Sequence, residues 1–149
     1  MEPLIPVYRT RVNHIRSHDG SIWPEYGGYP KLGTKHLCRR RAQVYVHAAV
    51  SEALKSSMGF AHGCVVVRRG RIVGRGHNVY VHGHGARRSV HAEIAALNSI
   101  KSSKMLRDAT VYVVRLSRDT TRLMCSKPCP ACAHVLERTA GVRAVYYSV

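Results

Sequence analysis

Hydrophobic and polar positions along this 149-residue chain fall into blocks whose period changes from one block to the next. Between residues 36 and about 58 the apolar positions Leu37, Val44, Ala48 and Leu54 can share a helical face, and Gly59 offers a stop. Cys64 to Val67 is a β-branched run that Arg68-Arg69-Gly70-Arg71 turns back into Ile72 and Val73, the pattern of a hairpin. Residues 82–89 read as a polar, glycine-bearing loop. A second helix is expected from Val90-His91 through Ile94, Leu97 and Ile100, and a strand over 109–116 on Val111, Val113 and Val114. A polar loop over 117–127 leads through Pro128 into a helix from about Cys129 to Thr139. Gly141 ends it, and Val142 to Val149 reads as a last strand. Residues 1–35 keep no period. Pro24, Gly27, Gly28, Pro30 and Gly33 interrupt them, and Trp23, Tyr26 and Tyr29 offer pins for an irregular arm.

The order helix, hairpin, helix, strand, helix, strand predicts an α/β fold: a three-layer α/β/α sandwich around a mixed sheet. Its last strand–helix–strand unit is long enough for a right-handed parallel crossover. The expected division is an arm over 1–35 and one compact domain over 36–149, with no internal repeat. Nothing in the chain approaches the ~18 to 20 consecutive apolar residues of a membrane span. The first ten residues hold two prolines and no continuous apolar stretch, which argues against a secretory signal. Arg9, Arg11 and Arg16 leave organellar targeting open, although Glu2, Pro3 and Pro6 oppose the amphipathic helix it would need.

Charge changes the picture. Lys and Arg number 24 against 8 Asp and Glu, a formal net charge of +16. Arg39-Arg40-Arg41, Arg68-Arg69, Arg87-Arg88, Arg115, Arg118 and Arg122 are spread through the chain, so the charge belongs to the folded body and not to a tail. Such an excess attracts polyanions. Five cysteines, two of them in Cys129-Pro130-Ala131-Cys132, fit a metal site in a reducing compartment (cytoplasm or nucleus) better than a disulfide framework.

Cys129 and Cys132 stand at an expected helix start, where exposed N–H groups favour thiolates. His91 opens the earlier helix and can supply a third ligand, leaving a fourth position for water, as catalytic zinc requires. Glu93, two residues on, can stand beside that water. Cys-x-x-Cys alone also suits structural zinc, a redox pair or two buried thiols, and His-Ala-Glu alone means little. Together, at two helix starts with Pro128 ahead of the cysteines, they match the His-x-Glu and Pro-Cys-x-x-Cys signature of zinc nucleobase deaminases. His77, His82 and His84 form a weaker metal candidate without a carboxylate partner. Cys125 reads as a half-buried loop residue, Cys38 and Cys64 as core, and Tyr146 and Tyr147 as sheet residues.

Val90-His91-Ala92-Glu93-Ile94-Ala95-Ala96-Leu97 and Ser126-Lys127-Pro128-Cys129-Pro130-Ala131-Cys132 resemble the two zinc motifs of the cytidine and deoxycytidylate deaminase superfamily. The likeness covers residues 36–149, including Gly76-His77-Asn78, and leaves out 1–35. It implies a Zn2+ cofactor, water activated by zinc and Glu93, a base held at Ala92 and the Cys129 N–H, and a sugar contact at Asn78. His91 stands where free-cytidine deaminases usually have Cys, which points toward nucleotide, transfer-RNA adenosine or polynucleotide substrates. Many relatives add a fifth strand, which this chain apparently lacks; the bare edge would be open, or covered by the arm or a partner.

The resulting expectation is hydrolytic deamination of a cytosine base in a nucleotide, with Arg115 and Arg118 as candidate phosphate contacts. Deamination of cytosine or adenine within single-stranded RNA or DNA is the alternative that the charge favours. A non-catalytic, basic protein of this fold with structural zinc is a third reading, and retention of Glu93 argues against it. Homo-oligomers or larger assemblies are common among such relatives, and no residue here marks an interface.

Overall fold

A computed structural model describes residues 7–10, 36–83, 86–140 and 142–148. Its elements, in chain order, are β1 (Val7–Thr10), α1 (His36–Ala53), β2 (His62–Arg68), β3 (Arg71–His77), β4 (Val79–Gly83), β5 (Ala86–Val90), α2 (Ala92–Asn98), β6 (Thr110–Leu116), β7 (Leu123–Met124), α3 (Pro130–Ala140) and β8 (Ala144–Ser148). Trp23, Tyr26, Tyr29, His84, Gly85 and Gly141 lie outside the described residues, as do the side chains of residues 36–41.

The main sheet runs β1-β8-β6-β2-β3, with β7 paired to the end of β6. All its pairings are antiparallel except β6 with β8, which are parallel across α3. The sheet is therefore mixed, as expected. Val65, Val67, Tyr112, Val114 and Leu116 pack against Val46, Ala49 and Ala53 of α1. The opposite face carries Cys64, Val66, Val111, Val113, Val145 and Tyr147 against α2 and α3. Coverage of both faces explains why β2 and β6 read as continuous apolar runs, not alternating ones.

The β2–β3 turn is Arg69-Gly70, both at positive φ (49° and 76°), which is the two-residue hairpin geometry that matches strand twist. A bulge between Val66 and Val67 then lets β3 run on to His77, well past the short strand expected at Ile72 and Val73.

Three expectations are corrected. The α1 helix ends at Ala53 and not near Met58, and it turns a different face inward: Val44 and Leu54 are 63% and 60% exposed. Small residues win because α1 lies almost on the sheet backbone. A Cβ at Gly63 would come within 1.9 Å of the Ala49 carbonyl oxygen. Second, residues 82–83 and 86–89 are strand and not loop. They belong largely to a two-stranded antiparallel ribbon, β4 with β5, in register from Val79↔Val90 to Gly83↔Ala86. Backbone pairing there is independent of side-chain hydrophobicity, so the polar composition hid it. Third, the expected loop over 117–127 contains β7.

The edge beyond β8 is covered from within the chain. Val7–Thr10 pair with β8 in antiparallel register, Val7↔Ser148 to Thr10↔Val145, so the start of the chain supplies the strand at that edge. None of Cys64, Cys125, Cys129 and Cys132 is in a disulfide. Among the described residues no helix is long and apolar enough to cross a membrane.

Candidate metal centre and its cavity

His91 is the N-cap of α2, extended at φ −71° and ψ 153°, and its carbonyl accepts from the Ala95 N–H at 2.9 Å. Cys129 holds the same place at α3. Its carbonyl accepts from Ala133 N–H (2.8 Å), Pro130 takes the first helical position, and the Cys132 N–H points at Cys129 Sγ (3.5 Å). Proline is pre-set for that position, and the thiol sits where a capping oxygen would otherwise stand. The loop leading to Cys129 is fixed by Ser126, buried between two strands. Its Oγ donates to the Val113 carbonyl (2.7 Å) and accepts from the Ser148 N–H (2.9 Å), and its own N–H donates to the Ser148 carbonyl (2.9 Å). Ser126 thus ties the cysteine loop to β6 and β8, a role unread in the sequence.

These two helix starts bring three ligand atoms together. His91 Nδ1 lies 3.6 Å from Cys129 Sγ and 3.3 Å from Cys132 Sγ, and all three atoms fall within 4.8 Å of one another. Tetrahedral zinc with ordinary Zn–S and Zn–N bonds sets its sulfur and nitrogen ligands roughly 3.6 Å apart. One imidazole and two thiols at this spacing suit zinc, and three ligands leave a fourth position. Burial, then Glu93 and Cys129, push the Cys132 thiol well above its ordinary value. A cation settling here must therefore displace a proton.

Glu93 is 4% exposed and is the second residue of α2, in its first turn. Burial raises its carboxyl pKa; its own backbone N–H, His91 and a hydrogen bond from Cys132 work in the other direction. A carboxyl raised by burial in a cleft is a group poised to exchange protons. It lines a cavity of about 250 Å³ together with His91, Ala92, Cys129, Asn78 and Lys127.

The other expected site residues fall in two groups. Ala92 and Asn78 line the cavity. Asn78 is buried and already engaged: Oδ1 accepts from the His62 N–H (2.8 Å) and Nδ2 donates to the Phe60 carbonyl (2.6 Å). Each of these groups keeps one further hydrogen-bonding position. Arg115 and Arg118 are not in the cavity wall. They meet it through Phe60, with guanidinium carbons 4.5 Å and 5.6 Å from the ring centroid. Arg115 Nε is buried and has no hydrogen-bond partner among the described residues, a situation that costs roughly 1–3 kcal/mol when left uncompensated.

Sequence reasoning missed several wall residues: Met58, Phe60, His62, Ser89 and Lys127. Burial lowers the His62 pKa, against the hydrogen bond to the Phe60 carbonyl, with Arg115 and His91 lowering it further. A neutral imidazole donating from Nδ1 (3.0 Å) leaves Nε2 as an acceptor. The signal for these residues existed only in the pairing. His62 stands opposite Arg115 in the β2–β6 ladder, and Ser89 opposite Tyr80 in the ribbon. The weaker candidates stay apart: His77 lies 3.5 Å from Glu52 on the α1 side, and among the described residues His91, Cys129 and Cys132 are the only group spaced to hold a metal.

Comparison with known proteins bears on the fold and the family. No curated protein sequence matches. Among solved structures, the dCMP deaminase of cyanophage S-TIM5 superposes with TM-score 0.51 at 23% identity, covering 73% of this chain and 80% of that one. RibD of Acinetobacter baumannii gives TM-score 0.46 at 24% identity over 69% of this chain, which spans only 26% of that protein. A variant of the cytidine deaminase of Mycobacterium tuberculosis gives 0.49 at 21% identity, covering 67% and 79%. The cyanophage structure establishes likeness of fold. The family model described as the cytidine and deoxycytidylate deaminase zinc-binding region matches residues 39–149, three-quarters of the sequence, and the chain belongs to that family.

Proposed function

We propose that the chain is a zinc-dependent hydrolase that deaminates a cytosine base carried by a nucleotide, with the catalytic domain over 36–149 and residues 1–35 as its arm. The observation that carries this reading is that buried Glu93 shares one cavity wall with His91 and Cys129, which with Cys132 behind them form the ligand set. Zinc held by those three residues would supply Lewis-acid activation of a water. Glu93 takes a proton from the attacking water and delivers it to the ring nitrogen, then passes a second to the departing amino group. The C4–N bond breaks, a C4–O bond replaces it, and ammonia leaves. Ala92 and the Cys129 N–H border the base, and Asn78 borders the sugar. Burial raises the Glu93 pKa above the ordinary carboxyl value, the direction that suits a group that must both accept and donate a proton.

Arg115 is the contact proposed for the nucleotide phosphate, because its buried Nε has a donor to spare. Cys129 and Cys132 must remain thiols for the site to form, which requires a reducing compartment. Deamination of a base within a strand is a second reading, favoured by the net charge of +16. The test is ammonia release from zinc-loaded protein offered deoxycytidylate, cytidylate, cytidine, adenosine nucleotides and single-stranded DNA and RNA. Release from the cytosine nucleotides and much less from cytidine is expected. Zinc bound at one per chain with no release from any substrate would overturn the proposal in favour of a structural metal.

A further inference from the structure

We propose that Phe60, with Arg118 beside it, is a stacking subsite for the nucleotide adjoining the one whose base enters the zinc cavity, so that the natural substrate is a single-stranded oligonucleotide. This rests on the deaminase reading of the cavity and, of its two substrate readings, takes the base within a strand.

Phe60 is the chain's one phenylalanine, and its ring is 51% exposed at the cavity wall. It is not a core residue that failed to reach the core. Its carbonyl accepts hydrogen bonds from Asn78 Nδ2 (2.6 Å) and His62 Nδ1 (3.0 Å), so the backbone that presents the ring is fixed by two cavity residues. Because the backbone is already held, an incoming base meets a partly ordered platform, and little ordering entropy is lost on contact. Two guanidinium groups gather at the same ring, Arg115 at 4.5 Å and Arg118 at 5.6 Å, and neither makes an ion pair among the described residues. Two like charges beside one exposed aromatic suit a ligand that brings both a π face and negative charge. A nucleotide has both.

The space beyond the ring agrees. A groove of about 430 Å³ adjoins the zinc cavity, with Met58 in the wall of both. Ser56, Ser57, Ser117, Thr120 and Arg118 border it beside Ala53, Leu54, Met58, Gly59 and Ala61, and the Ser117 hydroxyl is held by the Asp119 carboxylate. Hydroxyls with one guanidinium suit a sugar–phosphate backbone. A mononucleotide in the zinc cavity reaches the wall that Phe60 shares but leaves this groove empty. A strand fills both, and its charge matches a body carrying +16.

The deciding comparison is kcat/KM for a trinucleotide with a central cytosine, in DNA and RNA forms, against kcat/KM for the corresponding cytosine mononucleotide. Wild-type protein should prefer the trinucleotide. Phe60→Ala should reduce the trinucleotide-to-mononucleotide ratio by roughly 5- to 150-fold, the range of one base–aromatic stack. Phe60→Trp should keep the ratio within about threefold, since stacking is retained. Any general damage to the cavity cancels in the ratio. An unchanged ratio in Phe60→Ala, or a wild-type preference for the mononucleotide, overturns the inference while leaving the deaminase reading intact. If wild-type protein releases no ammonia at all, the deaminase reading fails. Fluorescence anisotropy of the labelled trinucleotides then decides the subsite alone, because Phe60→Ala must still weaken binding by a similar factor. Equal binding by the two proteins overturns it. The DNA and RNA arms show which sugar the groove takes.

Discussion

At Gly63 the sheet and α1 meet backbone to backbone, and no side chain fits between them. A Cβ there would sit 1.9 Å from the Ala49 oxygen and 2.4 Å from the Ala53 nitrogen. Gly63→Ala is therefore expected to destabilise the fold by at least the ~1–3 kcal/mol of an overpacked core, measured by urea unfolding. Gly83→Ala, with nothing within 4 Å, should change stability by less than about 0.5 kcal/mol. Asp119 gives a second prediction at this scale. Hydrogen bonds from Ser117 and Thr121 hold its carboxyl at about 2, below the ordinary 3.8, with Arg122 contributing. A depressed carboxylate favours the ordered loop above its ordinary value, and that contribution is lost as pH falls through about 2. An NMR titration of Asp119 should show that low midpoint, and Ser117→Ala should raise it. At the level of single residues the sequence was most informative where chemistry is local: His91, Glu93, Cys129 and Cys132 each lie near a helix start that a short motif marks. Phe60 and His62 were illegible because they join the site only through the Asn78 bonds and the β2–β6 register.

Among the elements, hydrophobic pattern located α1, α2 and α3 and the strands β2, β3, β6 and β8, but it misread one face and missed β1, β7 and one ribbon. The α1 face was misread because its buried residues include Ala49 and Ala53, whose small size carries little apolar signal, while the larger Val44 and Leu54 face solvent. The β4–β5 ribbon was missed because Tyr80, Val81 and His82 remain exposed on pairing, leaving neither alternation nor an apolar run to detect. The β1–β8 pairing was legible only as an open edge in need of cover, since four residues of an aperiodic segment carry no strand signature. It yields a direct prediction. Deleting residues 1–10 uncovers the β8 edge, and an open edge pairs with other chains. The truncated protein should show faster amide exchange along β8 and concentration-dependent light scattering. Unchanged exchange in β8 would mean that β1 does not protect that edge.

For the whole molecule, the metal and the charge govern behaviour. The two helix starts that carry the ligands belong to different parts of the chain, α2 and α3, so a bound ion ties them together. A ligand that binds only the folded state stabilises it by mass action, about 4 kcal/mol at a thousandfold excess over Kd. Chelation should consequently lower the thermal midpoint, and zinc should restore it; a midpoint indifferent to chelator would mean that no metal is held. The charge of +16 predicts steep salt dependence for any nucleic-acid binding, and Arg118→Gln should reduce the slope of log K against log salt by about one. The central claim is that Glu93 moves protons beside a zinc held by His91, Cys129 and Cys132. Its most direct test is to measure zinc content and ammonia release on the same samples of wild-type and Glu93→Ala protein. One zinc per chain in both, with turnover reduced about 10²- to 10⁴-fold or more in the variant, is the predicted result. Comparable turnover in the two proteins would contradict the account.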